Sequence, residues 1–210
     1  MLYSVTPNNS LQKGLLCLLL FLPYTLLLSQ TPNLSNPSSC RLGLPIVDNN
    51  CPDGEVFFQP NLFNINVSNA PGNTLGVDVY LKEVHLLINH SWDNDLDITL
   101  ISPSGASVLL TADNGGGDDN FGDTTAVDCS LHTVFALGAC QSITDGVAPF
   151  LDNPYAPEEN FYGFNDNVTN PNATWQLQIC DDAVNDEGTL EYVNLVFEPI
   201  NCLPIATTEV

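Results

Sequence analysis

The sequence predicts an all-β protein, a sandwich of antiparallel strands, and three observations lead there. Beyond residue 30 the apolar residues come in short runs, several alternating with polar ones, as in "DLDITLI" (95–101), "TWQLQIC" (174–180) and "VNLVFE" (193–198). Pro, Gly and Asn clusters such as "NAPGN" and "SPSG" separate these runs, the punctuation of tight turns. No stretch longer than ten residues in that region keeps a helical period. With 210 residues and 44% apolar content, the chain can fill one core.

In chain order, the first element is not part of the fold. Residues 1–30 place Lys13 ahead of an apolar run from Leu15 to Leu28, interrupted by Pro23 and followed by small or polar residues. That pattern is expected of a secretory signal and is short for a bilayer span. "TPNLSNPSSCRLGLP" follows, Pro-, Ser- and Asn-rich without periodicity, so residues 31–52 read as a linker. The strand pattern begins near residue 53 with "VFF", then "LFNINV" (62–67) and "VDVYLKEVHLLI" (77–88), and runs to residue 199, leaving 200–210 as a tail. In the last runs Trp175, Leu177 and Ile179, and then Val193, Leu195 and Phe197, should each share one buried face.

Charge narrows the function. Against 25 acidic residues stand three basic ones, Lys13, Arg41 and Lys82, giving a formal net charge of −22. Such a chain repels nucleic acid and anionic membranes, and its natural counter-charges are metal cations and basic partners. Removing Cys17 with the signal leaves six cysteines, an even number that in an exported protein reads as disulfides. The simplest pairing joins neighbours: Cys40 with Cys51, Cys129 with Cys140, and Cys180 with Cys202.

The acidic residues are unevenly placed. In "HSWDNDLDITL" an extended backbone would set Asp93, Asp95 and Asp97 on one face, roughly 7 Å apart. The loop "ADNGGGDDNFGDTTAVDC" adds Asp113, Asp118, Asp119, Asp123 and Asp128 among four glycines. Glycines let the backbone turn several oxygens toward one point, which suits Ca²⁺, a hard cation taking six to eight oxygens. The expected ligands are Asp119, Asp123 and Asp128 first, then Asp95 and Asp113.

Four segments in order, "HSWDNDLDITLISPSGASVLL", "DNGGGDDNFGDTT", "ITDGVAPFLDNPYAPEENFYGFN" and "NATWQLQICDDAVNDEGTLEYVNLVFE", resemble the P domain, or P/Homo B domain, of subtilisin-like proprotein convertases. His90, Asp95, Leu96, Ser102, Pro103, Gly105 and Trp175 fill that family's motif positions, while Ala173 stands where it usually has Gly. The resemblance covers residues 53–199. It implies a jelly-roll β-sandwich of about eight antiparallel strands, often with bound calcium, and a non-catalytic module that packs on a subtilisin-type catalytic domain and stabilises it.

Enzyme readings are weak. The three histidines, His85, His90 and His132, sit in no G-x-S-x-G context, and 25 acids offer carboxylate pairs by accident. The remaining alternative is a free-standing extracellular binding or adhesion module for a carbohydrate or protein ligand. It rests on Trp92, Phe121, Tyr155, Phe161, Tyr162 and Phe164 in or beside loops.

Overall fold

The computed structural model describes residues 31–52, 59–152 and 154–200. The expected signal peptide, the "VFF" run and Cys202 lie outside them.

Eleven strands and no α-helix are found among the described residues. They are β1 (Asn33–Ser35), β2 (Leu44–Ile46), β3 (Asn61–Asn66), β4 (Val79–His90), β5 (Leu96–Ile101) and β6 (Ser107–Thr111), followed by β7 (Thr133–Ala136), β8 (Gln141–Ser142), β9 (Tyr155–Ala156), β10 (Thr174–Asp181) and β11 (Gly188–Pro199). One sheet runs β1-β3-β10-β5-β6, the other β2-β11-β4-β7-β9-β8. The architecture is a β-sandwich, with more and shorter strands than the eight expected. It is also mixed: β1 runs parallel to β3, and β9 parallel to β7 and β8.

Alternation places the core as the sequence implies. Leu96, Ile98 and Leu100 of β5 and Trp175, Leu177 and Ile179 of β10 are fully buried, and Val193 and Leu195 of β11 face them from the second sheet. The Trp175 ring joins the sheets, lying 5.1 Å from Phe164 and 5.6 Å from Phe197 between ring centres. On β4 the alternation changes phase. Val79 and Leu81 are buried, then Val84, Leu86, Ile88 and His90. The β11 register skips Lys82 at that point, so one extra residue on β4 resets which face points inward.

Residues 31–52 are not a linker. They supply β1 and β2, one strand to each sheet, and the buried Asn36 amide takes Leu195 N–H and gives to Leu195 C=O, both at 2.8 Å. A Pro- and Ser-rich stretch lacks strand propensity of its own, and pairing with an existing strand overrides that. Disulfides reinforce the attachment, in a different pairing from neighbour-to-neighbour. Cys40 bonds Cys129 and Cys51 bonds Cys180, while Cys140 is exposed and has no partner among the described residues. Sequence proximity does not decide cysteine pairing; the fold brings residues 89 and 129 positions apart within bonding reach.

Candidate functional site

At one end of the sandwich β4 delivers His90 inward, and the chain turns through a 3₁₀ segment, Asp93–Asp95, before β5 begins at Leu96. The three aspartates are therefore not a strand-borne row. Only Asp97 lies on β5, while Asp93 and Asp95 sit in the turn and are buried. Asn94, a poor strand former between them, was the cue.

The glycine loop closes over this turn. Asp93 N–H donates to Asp118 C=O at 3.1 Å, Asn94 N–H donates to Gly116 C=O at 3.2 Å, and Asn120 Oδ1 accepts from His90 N–H at 3.1 Å. Gly115, at φ +97°, allows the approach, since a Cβ there would lie 2.7 Å from the Asp93 Cβ. Trp92 covers Gly117 in the same way, a Cβ there falling 2.8 Å from its ring.

Asp93 is consequently sealed, with no exposed surface, and neither carboxylate oxygen has a hydrogen-bond partner. The backbone N–H of Asn120 is turned toward it without closing a hydrogen bond. Burial pushes the Asp93 carboxyl up to about 7, opposed by the charge of His90 and that amide and assisted by Asp119 and Asp118. Protonation does not resolve the problem, because a carboxylic acid needs an acceptor for its own O–H. Asp95 is raised too, first by burial and then by the charges of Asp181 and Asp186, with Asp113 adding to them.

His90 and Asp181 form the polar centre of this end. His90 Nε2 lies 3.1 Å from Asp181 Oδ2, and His90 Nδ1 lies 2.9 Å from Trp92 C=O. Nε2 faces the Asp181 carboxylate, while Nδ1 lies between two backbone groups of Trp92, its C=O and its N–H, the latter 3.2 Å away. The pairing is half of a hydrolytic triad in appearance only, since the second nitrogen meets a carbonyl and not a nucleophile. Each other histidine is also engaged, His85 with Glu83 at 2.9 Å and His132 with Cys129 C=O at 2.8 Å.

Of the five expected ligands, Asp95 and Asp113 share one electrostatic neighbourhood and Asp119 borders Asp93. Asp123 and Asp128 serve local turns instead. Asp123 accepts from Thr125 N–H at 2.8 Å, and Asp128 accepts from Ser130 N–H at 3.1 Å and its hydroxyl at 2.7 Å. Hydrogen bonding from the side chain and then the backbone N–H of Thr125 holds the Asp123 carboxyl below the usual range, and the Ser130 hydroxyl and N–H do the same for Asp128. Among the described residues no three His, Cys, Asp or Glu side chains converge as a ready ligand set. Asp93, Asp118 and Asp181 were missed as site residues; Asp181, beside Cys180 at the end of a strand, carries no local signature.

The comparisons with known proteins fall on this region. Residues 82–134 match the family model described as the proprotein convertase P-domain, a span that includes most of β4, the aspartate turn and the glycine loop. The resemblance read from the sequence is thus met by an independent family match. No curated protein matches the chain. One solved structure with which it aligns is the Aeromonas sobria serine protease in complex with its chaperone, at 16% identity and a TM-score of 0.40, covering 76% of this chain and 25% of that one. Another is the serine protease of Aeromonas sobria, at 13% identity and a TM-score of 0.34, covering 74% of this chain and 25% of that one. The alignment spans about a quarter of the length of those proteins.

Proposed function

We propose that this chain is a secreted, non-catalytic accessory module that docks on a subtilisin-like catalytic domain and stabilises it. The P-domain match over residues 82–134 carries the reading. Two disulfides fit an oxidising, extracellular setting, and no described helix is long and apolar enough to cross a membrane. The acidity of the chain, −22 over its 210 residues, also suits a basic docking face.

We further propose that Ca²⁺ rigidifies the loop end of the module. The donor chemistry fits a hard cation: a buried carboxylate without partners, beneath a loop rich in carboxylates and backbone carbonyls. Asp93 would anchor the ion, with Asp118 and Asp119 closing from the loop. The ion would supply positive charge that the two bordering carboxylates and the buried one lack, and it would have no part in bond breaking.

The docking reading is tested by mixing the chain with a subtilisin-like catalytic domain deprived of its own P domain. The expected outcome is a complex at about 10 μM, the range of a modest interface, and a higher unfolding temperature for the catalytic domain. Separate elution with unchanged melting would reject the reading.

A further inference from the structure

A second feature lies away from the aspartate turn, where the last described residue, Ile200, lines a surface cleft of about 360 Å³ with Tyr80, Lys82, Leu137, Gly138, Tyr162 and Asn165. That volume falls in the range of small-molecule sites, which pair an apolar lining with a few fixed polar groups.

Two features make the cleft a built one. Two of its polar lining residues, Tyr80 and Lys82, are held by carboxylates outside the lining: Tyr80 O–H donates to Glu198 at 2.7 Å, Lys82 donates to the other Glu198 oxygen, and Lys82 Nζ stands 3.6 Å from Glu83. Its wall is Tyr162, an aromatic ring 64% exposed to solvent. This ring is not on a floppy loop. It stands on the 3₁₀ turn Phe161–Phe164, whose two phenylalanines are buried in the core and whose first turn is capped by Asn160 Oδ1 accepting from Tyr162 N–H at 2.9 Å. The Phe164 ring packs edge-on to Trp175, so the core fixes the ring's base. An exposed tyrosine held this firmly presents its face at low entropic cost.

Charge selects the class of occupant. The Lys82 ammonium is matched by Glu198 and Glu83, so the lining offers hydrogen bonds without net positive charge, and the −22 of the whole chain repels anions. We infer that the cleft binds a neutral saccharide, one pyranose face lying on Tyr162 and its hydroxyls reaching Tyr80, Lys82 and Asn165. The C–H groups on a pyranose face carry slight positive charge and meet the negative face of an aromatic ring. The inference goes beyond the accessory-module reading and does not rest on it.

The test is calorimetric titration of the full chain with neutral oligosaccharides built from glucose, mannose, galactose or N-acetylglucosamine, with polygalacturonate as the anionic control. At least one neutral series should bind. Tyr162→Ala should weaken it by about tenfold or more while leaving the melting temperature in place, and Tyr162→Trp should retain it. Absence of binding by every neutral series at millimolar concentration, preference for the anionic polymer, or equal binding by Tyr162→Ala would overturn the assignment.

Discussion

His90 and Asp181, 91 residues apart on β4 and β10, meet across the two sheets with Nε2 and Oδ2 3.1 Å apart and no exposed side-chain surface on either. Removing one partner strands the other in a buried setting. Asp181→Asn or His90→Ala should cost about 3–5 kcal/mol by denaturant unfolding. Gly188→Ala should destabilise by the same route, since a Cβ there would stand 2.3 Å from His90 Cδ2. A loss below 1 kcal/mol in all three would mean that the pair has no structural weight.

His90 and His85 are shifted in opposite directions, so they bend the dependence of stability on pH in opposite senses on either side of about pH 6.5. Burial alone would lower His90, but the hydrogen bond and charge of Asp181 outweigh it and the net shift is upward. A raised folded value gives stability that is complete below the unfolded value of about 6.5 and is lost as pH rises through the folded value. His85 moves the other way, held down by burial against the opposing pull of Glu83, so its contribution is lost as pH falls below 6.5. Urea unfolding between pH 6 and 9 should show stability declining in the wild type, at no more than about 1.4 kcal/mol per pH unit from this one group. His90→Gln should flatten the decline above about pH 8, beyond the range in which the Asp93 carboxyl, pushed up to about 7, also titrates.

Asp93→Asn should have opposite effects with and without calcium. In excess EDTA the substitution removes a buried, partnerless charge and should raise the melting temperature by a few degrees, for a gain of about 1–3 kcal/mol. In millimolar Ca²⁺ the wild type should gain stability by mass action and the variant should not. Gly115→Ala, which strains a φ of +97° and drives a methyl into Asp93, should also lose the calcium response. Equal melting of wild type in EDTA and Ca²⁺ would exclude a cation at this turn.

Disulfide mapping gives a direct check on the connectivity. A non-reducing digest should contain the Cys40 peptide joined to that of Cys129, and the Cys51 peptide joined to that of Cys180. Replacing both members of either pair by Ser should cost about 2–5 kcal/mol, because each bridge closes a long loop in the unfolded chain.

The long, alternating elements were legible in the sequence because local periodicity alone specifies their faces. Leu96, Ile98 and Leu100 on β5, and Trp175, Leu177 and Ile179 on β10, are of this kind. The strands β1 and β2 were not, since three-residue segments exist only through the strands they pair with. At the candidate site the glycine loop announced itself by composition. The identity of its innermost carboxylate did not, because a strand alternation and a 3₁₀ turn distribute Asp93, Asp95 and Asp97 differently and only tertiary closure chooses between them. The aromatic loop misled in a related way. Of its rings, Tyr155, Phe161 and Phe164 are core residues and Tyr162 alone is turned outward.

The two bridges have a consequence for survival among proteases. Each joins the N-terminal segment to a point at or beyond residue 129, so both span the interval from residue 52 to residue 128. A single cleavage anywhere in that interval, the exposed glycine loop included, leaves the two fragments tethered twice. Clipping then becomes a scar on an intact particle, visible only once reductant separates the pieces.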